Sequence, residues 1–132
     1  MIVAPDASGT ARLLDWQISI DDSSNQVSVS MEVHEDHTNR HGNMHGGLIA
    51  TVLDTAMGAT ASFVRGNNGE IPFSTISMTV NFLTPMALGT ITATGRIMGG
   101  GYKTVFVEGE AHDQNGTLVA QSTGTFKRAP IR

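Results

Sequence analysis

Apolar and polar residues alternate cleanly along Val27-Ser28-Val29-Ser30-Met31-Glu32-Val33, the period-two pattern of a half-buried strand. Leu14 to Ile20 alternates as well, and Asp21 to Asn25 (DDSSN) is turn chemistry, so the chain is predicted to open with a hairpin. Residues 1–12 read as a loose lead-in, and residues 34–45 carry neither period. At Gly46 the pattern changes to GGLIATVLDTAMGATASFV, with Asp54 its one ionisable side chain. This stretch predicts a helix to about Val64, roughly 27 Å long at 1.5 Å per residue. It is apolar nearly all round, which predicts burial on most sides. RGNNGE at 65–70 stops it, with Gly66 suited to a left-handed cap.

The rest reads as strands. Ser74 to Leu83 sets Ile76, Met78, Val80 and Phe82 on one face and Thr75, Ser77, Thr79 and Asn81 on the other. Thr90–Met98, Tyr102–His112 and Leu118–Lys127 follow, separated by turns at Gly99-Gly100-Gly101 and at DQNG. One long helix against about six antiparallel strands predicts an α+β domain in which a curved sheet wraps a central helix. Gly58 and the alanines at 50, 56, 59 and 61 give that helix a thin body for the sheet to approach.

At 132 residues the chain is long enough for one domain with a single core. Charged residues make up 15% of it, against about 25% in typical soluble domains. A surface this neutral is expected to be partly covered by other copies of the chain. The net charge of −4 argues against a nucleic-acid partner, which calls for a basic face. With no cysteine, disulfides and thiol catalysis are excluded. No basic-then-apolar leader opens the sequence, so a cytoplasmic protein is expected. The 46–64 stretch is about as long as a membrane span, but its Thr, Ser, Gly and Asp54 favour a core helix and no membrane association.

Asp54 is the most informative residue. Burying a carboxylate among Leu53, Ala56, Met57 and Gly58 costs several kcal/mol unless compensated, and the same desolvation strengthens it as a base. Eight residues earlier, the Gly46 N–H falls in the first helical turn. There it lacks an intrahelical acceptor, and the macrodipole favours negative charge.

The spacing Asn39, Gly42, His45, Gly46, Gly47, Asp54 follows N-x-x-G-x-x-H-G-G-x₆-D. With TISMTVNFLTP and GTLVAQSTGTFKR downstream, it resembles the hotdog-fold acyl-CoA thioesterases of the phenylacetate-degradation (PaaI) type over about residues 13–128. The resemblance implies a single hotdog domain over 13–132 and hydrolysis of an acyl-CoA substrate to free acid and CoA, with no cofactor or metal. It assigns Asp54 as base or nucleophile and the Gly46 N–H as oxyanion donor, beside Gly47. Asn39 and His45 are implied to contact the thioester or brace its loop, and Thr75 aligns with a hydroxyl that holds water in some relatives. Lys103 sits where relatives carry a basic residue for the CoA phosphates, with Arg65, Arg96 and Arg128 as further candidates. The family builds its sites across a homodimer, often within a tetramer. Gly46 and Asp54 require such an arrangement, since some 12 Å of helix axis separates them.

Three rival readings remain. His34, His37, His41 and His45 are spaced for a metal-binding helix face, but Asn39, Gly42 and Asn43 disfavour that helix. Hotdog dehydratases or hydratases act on similar thioesters, but their G-H-F-P-like stretch is absent. A non-enzymatic acyl-CoA-binding domain has no use for Asp54.

Overall fold

The computed structural model describes residues 2–4 and 6–130. Its elements in chain order are β1 (Ile2–Ala4), α1 (Gly9–Leu14), β2 (Gln17–Asp21) and β3 (Gln26–Val33). A 3₁₀ turn (Glu35–His37) and the long helix α2 (Gly46–Arg65) follow. The chain then forms β4 (Phe73–Phe82), β5 (Gly89–Gly100), β6 (Thr104–Asp113) and β7 (Leu118–Arg128). All seven strands join one antiparallel sheet in the order β1-β2-β3-β5-β6-β7-β4, and α2 lies along its inner face. The predicted α+β architecture, one helix wrapped by a sheet, is the observed one.

The sheet can close on α2 because glycines line the contact. A Cβ at Gly95 would stand 2.8 Å from the Ala56 carbonyl oxygen and would also strike Thr60 Oγ1. At Gly109 and Gly124 it would run into Met57, at 2.9 and 2.8 Å. The thin side of the interface is therefore mainly the sheet's. Gly58, on the helix, has only ordinary contact with Phe126 at 3.5 Å.

The described part of the lead-in is not loose. Residues 2–4 pair as β1 with β2, and Ser8 caps α1, its hydroxyl accepting the Ala11 N–H at 3.1 Å. Leu14, expected to begin a strand, instead ends α1 and is buried, and left-handed Asp15 (φ 54°) turns the chain into β2. At the end of α2, Gly66 is not left-handed (φ −117°). It is needed for space, since a Cβ there would lie 2.6 Å from the Ser62 oxygen. Asn67, Asn68 and Gly69 supply the left-handed turn.

Burial of α2 is one-sided. Ile49, Val52, Leu53, Ala56, Met57, Thr60 and Ala61 are sealed against the sheet. Ala50, Thr51, Asp54, Thr55 and Gly58, on the flank beyond them, are half-buried. The helix is long and apolar enough to cross a membrane by composition alone, but here it packs along the sheet. The sheet of one chain wraps one side of α2 and leaves open a stripe of small residues with one carboxylate, Asp54. β4 ends the sheet, with Ile76 and Phe82 more than half exposed.

Candidate active site

The segment before α2 is organised by its polar side chains. Asn39 Oδ1 accepts the N–H groups of His41 (2.9 Å) and Asn43 (3.3 Å), and the Asn39 N–H donates to the Asn43 oxygen at 2.7 Å. This folds 39–43 into a tight loop and leaves the Asn39 amide N–H₂ uncommitted among the described residues. His45 is the N-cap, with extended backbone (φ −60°, ψ 133°), and its Nδ1 accepts the Gly47 N–H at 2.9 Å. That geometry assigns the ring hydrogen to Nε2. The His45 carbonyl takes the N–H groups of Leu48 and Ile49. The one N–H of the first turn left without an acceptor among the described residues is that of Gly46.

Gly46 opens onto a groove of about 300 Å³ lined by Asn39, Met44, Ile49, Phe82, Leu83 and Met86, among others. Phe82 lies closest, since a Cβ at Gly46 would be 3.4 Å from its ring. An acyl group entering here would meet an apolar wall on one side and helix-terminal positive potential at its carbonyl.

Asp54 lies two turns further along, on the open stripe of α2. The Thr75 hydroxyl donates to its Oδ1 at 2.6 Å. Strict alternation along β4 sets Thr75 on the face opposite Met78 and Val80. The structure corrects this, because the register between β4 and β7 shifts between Thr75 and Ser77. Thr75 pairs with buried Phe126, Val80 with buried Ser122, and Ile76 is the extra residue between two ladders. Such a bulge re-aims side chains beside it. It turns Thr75 to the helix side.

With this geometry in view, the relatives are informative. The family model of the thioesterase superfamily matches residues 41–120, from the loop before Gly46 into β7. This chain belongs to that superfamily. Human acyl-coenzyme A thioesterase 13 is 30% identical over 102 residues, covering 76% of this chain and 71% of the human protein. Among solved structures, the E. coli PaaI protein from the phenylacetic acid degradation operon superposes with a TM-score of 0.82 at 28% identity, covering 94% of this chain and 86% of that one. A Streptococcus mutans protein bound to acetyl CoA gives a TM-score of 0.74 at 26% identity, covering 89% and 90%. The expected hotdog fold and PaaI-type relationship hold, and the chain is a thioester hydrolase.

The thioesterase distributes its remaining candidate residues over three places. Asn39, His45, Gly46 and Gly47 gather at the start of α2, where the Gly47 N–H is taken by His45. Asp54 and Thr75 form a pair in mid-helix. Lys103 stands at the other end of the molecule with Lys127 and Arg128. Arg65 ends α2, its carbonyl accepting from Arg128. Arg96 pairs with Glu108 on the sheet's outer face, away from both centres. The four histidines share no helix. His37 Nδ1 accepts the His34 N–H at 2.8 Å, and no metal-sized set of three His, Asp or Glu occurs among the described residues. The sequence reading missed the apolar groove wall. Met86 sits in TPMALG, read only as a strand break, yet it is buried and its carbonyl accepts the Met44 N–H at 2.8 Å.

Proposed function

We propose that this thioesterase hydrolyses an acyl-CoA thioester at a site shared by two copies of the chain. The observation that carries the reading is the split between the unengaged Gly46 N–H and the Thr75-held Asp54 carboxylate. They lie on one helix about 12 Å apart by the helical rise, too far to meet at a single carbonyl. Both border surface that a second copy would cover: the open stripe of α2 and the unpaired side of edge strand β4. Two copies meeting there with antiparallel helices set the Asp54 of each against the Gly46 of the other. Pairing of such dimers into a tetramer would cover the exposed Met98 and Phe106.

In this site the thioester carbonyl oxygen accepts the Gly46 N–H, with the Asn39 amide as second donor. Asp54 takes a proton from water as the water oxygen attacks the carbonyl carbon, and negative charge collects on the oxygen at the helix N-terminus. The C–S bond then breaks, and the departing CoA sulfur takes the proton from Asp54. Thr75 holds Oδ1, leaving Oδ2 for the water. His45 shapes the turn through its bond to Gly47 and does not contact the substrate.

Mixing two inactive variants tests the arrangement. Asp54→Asn removes the base, and Gly46→Pro removes the donor N–H. When the two are co-refolded, each mixed dimer has one doubly damaged site and one intact site. Random mixing should restore about a quarter of wild-type activity. A site contained in one chain recovers nothing on mixing.

A further inference from the structure

Four of the chain's five histidines, His34, His37, His41 and His45, fall in the twelve residues before Gly46. They form no metal-sized set among the described residues, and the reaction proposed above puts none of their rings on the substrate. Two of them carry main-chain hydrogen bonds instead. His37 Nδ1 accepts the His34 N–H at 2.8 Å, and His45 Nδ1 accepts the Gly47 N–H at 2.9 Å. The pair is joined directly, since the His45 N–H donates to the His37 carbonyl at 2.8 Å. Around that joint the chain closes into a loop. Thr38 bridges Met44, whose N–H donates to the Met86 carbonyl in the groove wall. The next residue after the joint is Gly46, so both rings brace the peptide that carries the oxyanion donor.

An imidazole nitrogen accepts a hydrogen bond only while it is unprotonated. Proton uptake turns both acceptors into donors and breaks both bonds. At His45 it also sets a cation against the positive end of α2. The surrounding charge favours uptake. Glu32, Glu35 and Asp36 border the same surface as His34, and Arg40 is the one permanent cation of residues 34–45, with His34 and His41 able to titrate alongside. Neither the 83–88 loop nor the first two turns of α2 bring an ionisable group. In the proposed pairing, the Asp54 of the other copy is the remaining charge beside Gly46.

We infer that His37 and His45 are coupled positioning residues, neutral rings that together hold Gly46 on the groove, and that proton uptake by this pair releases the donor and slows turnover. The inference rests on the thioesterase reading above and adds a regulator to its oxyanion site. Histidine changes charge between about pH 5 and 8, so the loss should fall there. Its ceiling is the cost of removing one oxyanion donor, about 10²–10³ in rate. The apolar groove wall is untouched, so kcat should carry the loss and KM should change little.

Asparagine tests this, because its side-chain oxygen accepts like Nδ1, does not titrate and is a preferred N-cap. Each kcat profile is taken relative to its own value at the alkaline end. Wild type should fall by about tenfold or more as pH drops from about 8 to 5. His37→Asn and His45→Asn should each flatten part of that fall, and the double variant most of it. His37→Ala, with no acceptor, should be slower than His37→Asn throughout. A double variant that falls as steeply as wild type overturns the inference and gives the acid loss to Asp54, and so does equal turnover of His37→Ala and His37→Asn. Two-dimensional NMR gives a reading that needs no substrate. In wild type the Gly46 and Gly47 amide signals should shift in step with the His37 and His45 ring signals, and amides that do not follow the rings overturn the inference. Amides that follow them in a protein that hydrolyses no acyl-CoA overturn the proposed reaction instead and leave the acid-sensitive joint standing.

Discussion

Thr75 donates its hydroxyl to Asp54 Oδ1 across 2.6 Å, from the outermost strand to the middle of the central helix. Asp54→Asn keeps the shape and removes the base, so kcat should fall by about 10²–10⁴ with the melting temperature little changed. Thr75→Val should cost about tenfold, the order of one hydrogen bond to a charged group, and Thr75→Ser should restore most of it. Steady-state kinetics with thermal melts on the three variants separates the roles. Equal losses from Thr75→Val and Thr75→Ser would remove the hydroxyl from the account.

Gly46→Pro isolates the donor at the helix start. Proline is well accommodated at the first helical position, and the extended His45 before it has the backbone that a following proline requires. The variant should fold and melt like wild type while turnover drops by about 10²–10³, the usual cost of one oxyanion donor. Turnover near wild type would place the oxyanion elsewhere.

Gly95→Ala tests how closely sheet and helix approach. Its methyl would meet the Ala56 carbonyl at 2.8 Å, and main chain cannot move aside as a side chain can. A stability loss of about 1–3 kcal/mol is expected by chemical denaturation. Gly109→Ala should cost less, because its obstacle is flexible Met57.

Asp6 makes the chain's one tryptophan a reporter of acid. Burial raises the Asp6 pKa, but hydrogen bonds from Ser8 and from Trp16 Nε1 (3.0 Å) outweigh it, leaving the value below the ordinary 3.8. A depressed carboxylate contributes stability above its unfolded pKa and loses it as pH falls through the folded one. Tryptophan emission should therefore change as pH drops below about 3.8, ahead of or with global unfolding. Asp6→Asn should abolish that step, and a step unchanged in the variant would assign it to another carboxylate.

From β2 onward the order of elements was legible, because period-two alternation and one long run with a single charge differ so plainly. The candidate site was legible in part. Gly46 and Asp54 follow from helix physics and motif spacing, since eight residues fix their separation once the helix starts at Gly46. Thr75 did not follow from alternation, because Ile76 carries no mark of a bulge and parity alone sends the hydroxyl the wrong way. His45 as a cap was hidden as well, being outside the usual Ser, Thr, Asp and Asn set and dependent on the loop that presents it. Ser8, three residues before Ala11, was a visible cap that the expectation of a loose lead-in obscured.

β4 carries a ten-residue border of main-chain amides and carbonyls with no neighbour among the described residues. A border that long invites strand-by-strand stacking into filaments. A single two-fold docking of like borders ends such growth after one step. Dilution below the association threshold would then remove turnover and colloidal stability together, so enzyme assayed at very low concentration should lose activity with time and recover it only if returned to higher concentration before it precipitates.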